Sequence, residues 1–144
     1  MGSLNSDVKG EFHNQEVIFN MHQLIKSTEK FAIWRKSLEL ADTIQKIADN
    51  LTSPESLDIR SIFKSMTCTI PSHIAEAFLM NNTKDRKTYF YRTLSCLEEL
   101  LNNIRLTEQM GFLKKAHIRK LKKEIVELNM LIGELISPRR LLVN

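Results

Sequence analysis

The chain has 144 residues, enough for one hydrophobic core that needs neither metal nor disulfide staples. Its 42% apolar and 26% charged residues are ordinary for a folded globular protein, and no apolar run approaches the roughly 20 residues that span a bilayer. A formal charge of +4 points toward anionic partners, while the absence of a basic-then-apolar leader makes a cytoplasmic setting the expectation.

Residues 1–30 read as a loose arm. Within it, QEVIFNMHQLIK at 15–26 puts Val17, Met21 and Leu24 on one line with Ile18 and Ile25 beside it. This is a short amphipathic helix, unstable alone, that packs on its own domain or docks onto a partner. Four glycines and three prolines are little punctuation for a chain of this length, which favours long helices.

Four segments follow, at about 31–52, 54–80, 83–110 and 114–136, and a tail at 137–144. The first is broad: Phe31, Trp34, Leu38 and Ala41 form one line, and Ile33, Leu40, Ile44, Ile47 and Leu51 another. One line is enough to close a bundle, so the other predicts self-association. Ser53-Pro54-Glu55 then reads as a capping serine, a first-turn proline and an acid.

The second segment carries Ile59, Ile62, Phe63, Met66, Ile70, Ile74, Ala77 and Phe78 in helical phase straight through Pro71. The helix is therefore expected to continue and bend there, because the ring removes an amide donor and crowds the carbonyl of Thr67. Hydroxyls of Thr67, Thr69 and Ser72 are placed to bond the disturbed backbone. His73 and Glu76 share a face one turn on. A di-iron bundle needs two Glu-x-x-His pairs, and none of His13, His22, His73 and His117 has a Glu three residues before it. There is no His-Glu-x-x-His, phosphate loop or nucleophile elbow either. Cys68 and Cys96, in apolar helical surroundings, read as buried thiols. Pro71, His73 and Glu76 are accordingly read as a structural motif, and no enzyme activity, cofactor or metal is expected.

Asn81-Asn82-Thr83 ends this helix and caps the next, whose stripe is Phe90, Leu94, Leu97, Leu101 and Ile104. Gly111 before Phe112 closes it as a left-handed cap. The fourth stripe is Ile118, Leu121, Ile125, Leu128, Ile132 and Leu135, stopped by Ser137-Pro138. Short links force neighbours to run antiparallel, so the expected fold is an all-α, up-down-up-down four-helix bundle over 31–136.

Charge is uneven. Residues 31–144 hold 18 basic and 13 acidic residues, a net of +5, and KKAHIRKLKK at 114–123 has six cations and no acid. Lys115, Arg119, Lys122 and Lys123 fall opposite the apolar stripe as a cationic ridge without interleaved acids for i,i+4 pairs. Lys84, Arg86 and Lys87 open the third helix and Arg139-Arg140 follow the fourth, so a second basic zone is expected at the opposite end of the bundle. No zinc finger, recognition helix or stacking platform accompanies them. Tyr89 and Tyr91 read first as packing residues.

The stretches Phe31-Ala32-Ile33-Trp34, Thr69-Ile70-Pro71-Ser72-His73-Ile74-Ala75-Glu76, Ser95-x-x-Glu98-Glu99-Leu100 and Met110-Gly111-Phe112-Leu113 resemble a bacterial four-helix-bundle family, the proteins encoded in intervening sequences of 23S ribosomal RNA genes. The match spans about 28–136. His73 stands where the family has Asn, and Ala77 where it has Gly. Alanine favours a helix by about 1 kcal/mol over glycine, so the second helix is expected to run on through Phe78. The same pattern is similar to the accessory variability proteins of diversity-generating retroelements. That likeness implies a homopentameric ring binding nucleic acid, with a reverse transcriptase or ribosomal RNA element as the setting. The expected function is a non-enzymatic scaffold for nucleic acid, structured RNA before duplex DNA. The alternative is a protein-interaction module that meets an acidic protein partner and has no nucleic-acid role.

Overall fold

The four amphipathic segments become four helices in the computed structural model, which describes residues 28–137. Residues 1–27 of the arm expected at 1–30, with the helix expected at 15–26, and the residues from Pro138 on, with Arg139 and Arg140, lie outside the described residues. The helices are α1 (Thr28–Asp49), α2 (Leu57–Leu79), α3 (Thr83–Gln109) and α4 (Lys115–Ile136). α1 packs on α2 and α4, and α3 packs on α2 and α4, so the four close a ring around one core. With the short connections this is an antiparallel four-helix bundle. No helix among the described residues is long and apolar enough to cross a membrane.

Both ends of α3 follow local chemistry. Asn82 caps α3 by accepting from the Asp85 amide at 2.8 Å, while its own amide donates to the Asp85 carboxylate at 2.7 Å. At the other end Gly111 has φ of 77°, and its N–H reaches Glu108 O at 3.0 Å while Phe112 N–H reaches Thr107 O at 3.2 Å. These two bonds are the 5→2 and 6→1 pair of a Schellman closure, and Phe112 folds back onto the core. Ser53, read from the sequence as a capping serine, makes no side-chain cap. Its hydroxyl instead pairs with Ser56 Oγ at 2.9 Å across a 3-10 turn at Pro54–Ser56, so α2 begins only at Leu57.

α2 runs unbroken through Pro71 and on to Leu79, as the alanine at 77 led one to expect. The hydroxyls near the proline act one turn earlier than anticipated. Thr67 Oγ1 donates to Lys64 O at 2.7 Å and Thr69 Oγ1 to Ser65 O at 2.9 Å, neither reaching the carbonyl of Thr67, and Ser72 is exposed.

The core stripes differ from the purely apolar reading in particular places. On α1 the line Ile33, Leu40, Ile44, Ile47 and Leu51 is buried, whereas Phe31 and Leu38 remain 48% and 46% exposed. On α2, Ile62 turns outward at 39% exposed. On α3 the buried line is Phe90, Thr93, Leu97, Leu100, Ile104 and Thr107, and Leu94 and Leu101 flank it half-buried. Two threonines enter the core because each satisfies its hydroxyl on the preceding turn, Thr93 on Tyr89 O at 2.9 Å and Thr107 on Asn103 O at 2.6 Å. On α4 Ile136 is buried in place of Leu135. Cys96 is half-buried, but Cys68 is exposed, contrary to the expectation for a buried thiol.

Candidate nucleic-acid interface

A helix N-terminus carries partial positive charge, so a sequence built for stability alone places acids there. α4 has no acid in its first turn and opens instead with Lys115, after Lys114 at the cap position. α3 has Asp85, but also Lys84, Arg86 and Lys87. Each cation so placed forfeits a few tenths of a kcal/mol or more at low salt. The same placement makes both ends attractive to anions. Because neighbouring helices are antiparallel, the two basic ends lie at opposite ends of the bundle, about 30 Å apart along a 22-residue helix.

On α4, Lys115, Arg119 and Lys123 are exposed and Lys122 is half-buried, facing away from Ile118, Leu121 and Ile125. The ridge exists, but it is not free of acids. Lys122 Nζ lies 3.3 Å from the Glu108 carboxylate of α3, and Lys120 lies 4.0 Å from Glu124. Lys123 faces Glu127, whose carboxyl is held below its ordinary value, mainly by the hydrogen bond from Lys36 and less by the Lys123 charge. The acids that follow the run by one turn supply the i,i+4 partners that the run itself lacks. Lys115 and Arg119 have no ion pair with any described residue. These two are the open part of the ridge. Beside them a pocket of about 310 Å³ is lined by Asn50, Phe112, Lys114 and His117. It gathers residues from two loops and a helix start, and no sequence spacing announces it.

At the other end Lys84 and Lys87 are exposed, while Arg86 is half-buried and donates from Nη2 to Met80 O at 3.0 Å. Arg86 thus ties the start of α3 to the end of α2, a structural task that the charge pattern alone did not reveal. The edge-to-face pair Phe78 and Phe90, with centroids 5.7 Å apart, packs beneath it. Lys30 joins this cluster although it was assigned to the arm. Burial, and then the charge of Arg86, lower its pKa from the ordinary lysine value. The helix starts three residues before its first apolar residue, so the boundary drawn at Phe31 excluded it.

The motif after Pro71 does not form a polar centre. Glu76 is exposed, and His73 Nδ1 is buried without a partner among the described residues, its ring 6.4 Å from that of Tyr89. Arg92 stacks over Tyr89 at 4.9 Å, which fixes that tyrosine in place, while Tyr91 is exposed. Among the described residues no group of three or more His, Cys, Asp or Glu is placed to hold a metal ion. Burial, reinforced by Glu99, pushes the Cys96 thiol up and away from reactivity.

A closed antiparallel bundle with a basic helix start at each end defines the class: a cationic four-helix bundle. The chain belongs to the 23S rRNA-intervening sequence protein family, whose model matches residues 29–134. No curated protein and no solved structure matches the chain.

Proposed function

We propose that the protein is a non-enzymatic, homo-oligomeric scaffold that holds structured RNA by its phosphates. The observation that carries this reading is the open cationic pair Lys115 and Arg119 at a helix N-terminus with no acid in its first turn. It carries an electrostatic penalty for which no ion pair among the described residues compensates, and a phosphate is the group that reverses the penalty. Membership of a family named for intervening sequences of 23S ribosomal RNA genes supports RNA as the polyanion. The α1 line on which Phe31 and Leu38 are exposed and Trp34 is half-buried supports self-association, which multiplies a charge of +4 per chain. The likeness to retroelement accessory proteins adds a reverse transcriptase as a candidate protein partner. Recognition would follow backbone charge and shape rather than base sequence.

The test is fluorescence anisotropy of a labelled structured RNA across a salt series. Wild-type protein is compared with a variant carrying Lys115→Ala, Arg119→Ala, Lys122→Ala and Lys123→Ala. Affinity should fall steeply with salt, and the quadruple variant should flatten the logarithmic slope by about 3 to 4 when all four cations contact phosphates, since each phosphate contact contributes roughly 0.7 to 0.9. No binding at low salt would overturn the reading and turn attention to an acidic protein partner.

A further inference from the structure

A pocket of about 100 Å³ lies where the start of α1, the end of α2, the start of α3 and the end of α4 converge, lined by Lys30, Phe78, Thr83, Arg86, Lys87, Phe90 and Leu135. Three of the seven lining residues are cations and none is an acid. No ion pair joins Lys30, Arg86 or Lys87 to a described carboxylate. Arg86 uses one guanidinium nitrogen on Met80 O, and its Nε is buried without an acceptor among the described residues. A buried charged donor without a partner is costly, and packing Lys30 against Arg86 adds like-charge repulsion. Thr83, the first residue of α3, contributes a hydroxyl at the positive end of that helix. Phe78, Phe90 and Leu135 wall the recess with apolar surface, which strengthens every electrostatic interaction inside it. The volume equals about three waters.

We propose that this recess is a binding site for a single phosphate-type oxyanion, held by Lys30, Arg86, Lys87 and the Thr83 hydroxyl. An oxyanion supplies in one group the negative charge that the three cations lack and several acceptors for their donors. Its source is either free inorganic phosphate or a phosphate of bound RNA. The second source rests on the function proposed above; the site itself does not.

The experiment uses the full chain and inorganic phosphate as the probe. Thermal unfolding is followed at about 10 mM phosphate and in chloride of equal ionic strength. For a dissociation constant near 1 mM, the melting temperature should rise by about 3 °C or more in phosphate only. Lys30→Gln with Lys87→Gln keeps the Arg86 tether to Met80 and should lose that rise. Lys115→Gln with Arg119→Gln, at the far end, should keep it. No phosphate-specific rise in wild type, or an equal rise in the Lys30/Lys87 variant, overturns the site whatever the protein does with RNA. The source is then read from RNA anisotropy at the same phosphate concentration. Competition by phosphate beyond that of chloride, lost in the Lys30/Lys87 variant, assigns the site to an RNA phosphate. Unchanged RNA affinity assigns it to the free ion.

Discussion

Glu124 lies on the seam between α1 and α4, where its environment works against its charge. Its Oε1 accepts from Thr43 Oγ1 at 3.2 Å, and its Oε2 is buried with no partner among the described residues. Burial pushes its carboxyl above the ordinary value of 4.5, with Glu39 and Glu127 acting in the same direction, against the Thr43 bond and Lys120. One turn away, Glu127 is shifted the other way by the 2.6 Å bond from Lys36 Nζ. The two groups therefore have opposite linkage to pH. Folded Glu124 holds its proton more tightly than the unfolded chain does, so its contribution favours folding at low pH and declines as pH rises above 4.5. Glu127 contributes stability that is present above 4.5 and is lost as pH falls. Glu124→Gln keeps an acceptor for Thr43 and removes the buried charge. Its stability relative to wild type should therefore be greater at pH 7 than at pH 4. Urea unfolding at the two pH values checks this, and an identical difference at both would show that the carboxylate is solvated.

At the scale of the element, α2 owes its last turn to an alanine. Ala77 is fully buried and helical, and the helix continues to Leu79 before Met80 turns extended. Ala77→Gly should cost about 1 to 2 kcal/mol, from helix propensity and a lost buried methyl. Gly133 poses the reverse case inside α4, where an added Cβ meets nothing within 4 Å. Gly133→Ala should gain up to about 1 kcal/mol. Melting temperatures moving in opposite directions would check both, and an unmoved value for Ala77→Gly would mean that the last turn of α2 is not held. The four helices were legible in the sequence because apolar periodicity is a one-dimensional signal. What the period could not convey is which flank of a wide stripe turns inward. Leu100 and the self-bonded threonines Thr93 and Thr107 took core places on α3, with Leu94 and Leu101 at its margin. The basic residues were legible as a run, but their pairing was not. Lys122 with Glu108 and Arg86 with Met80 O join different helices, and only the packing brings them together.

For the whole molecule, two of the exposed apolar faces among the described residues offer surfaces on which copies could meet. One is on α1, with Phe31 and Leu38; the other follows α3 and α4, where Tyr91, Val126 and Met130 are 53 to 64% exposed. Since α1 and α3 are diagonal in the ring of helices, these faces point to different sides of the bundle. A pairing of unlike faces is heterologous, and it closes into a ring when the rotation between neighbours permits. The expected outcome is one defined oligomer larger than a dimer by light scattering. Phe31→Asp with Leu38→Asp should give a helical monomer of 16.7 kDa, and so should Val126→Asp with Met130→Asp. Each variant keeps one intact face, so mixing the two should form dimers and nothing larger. A like-face contact predicts otherwise: one variant would stay oligomeric and the mixture would form no new species. Wild-type protein that scatters as a monomer would remove the ring, leaving the +4 of a single chain with no multiplication by assembly.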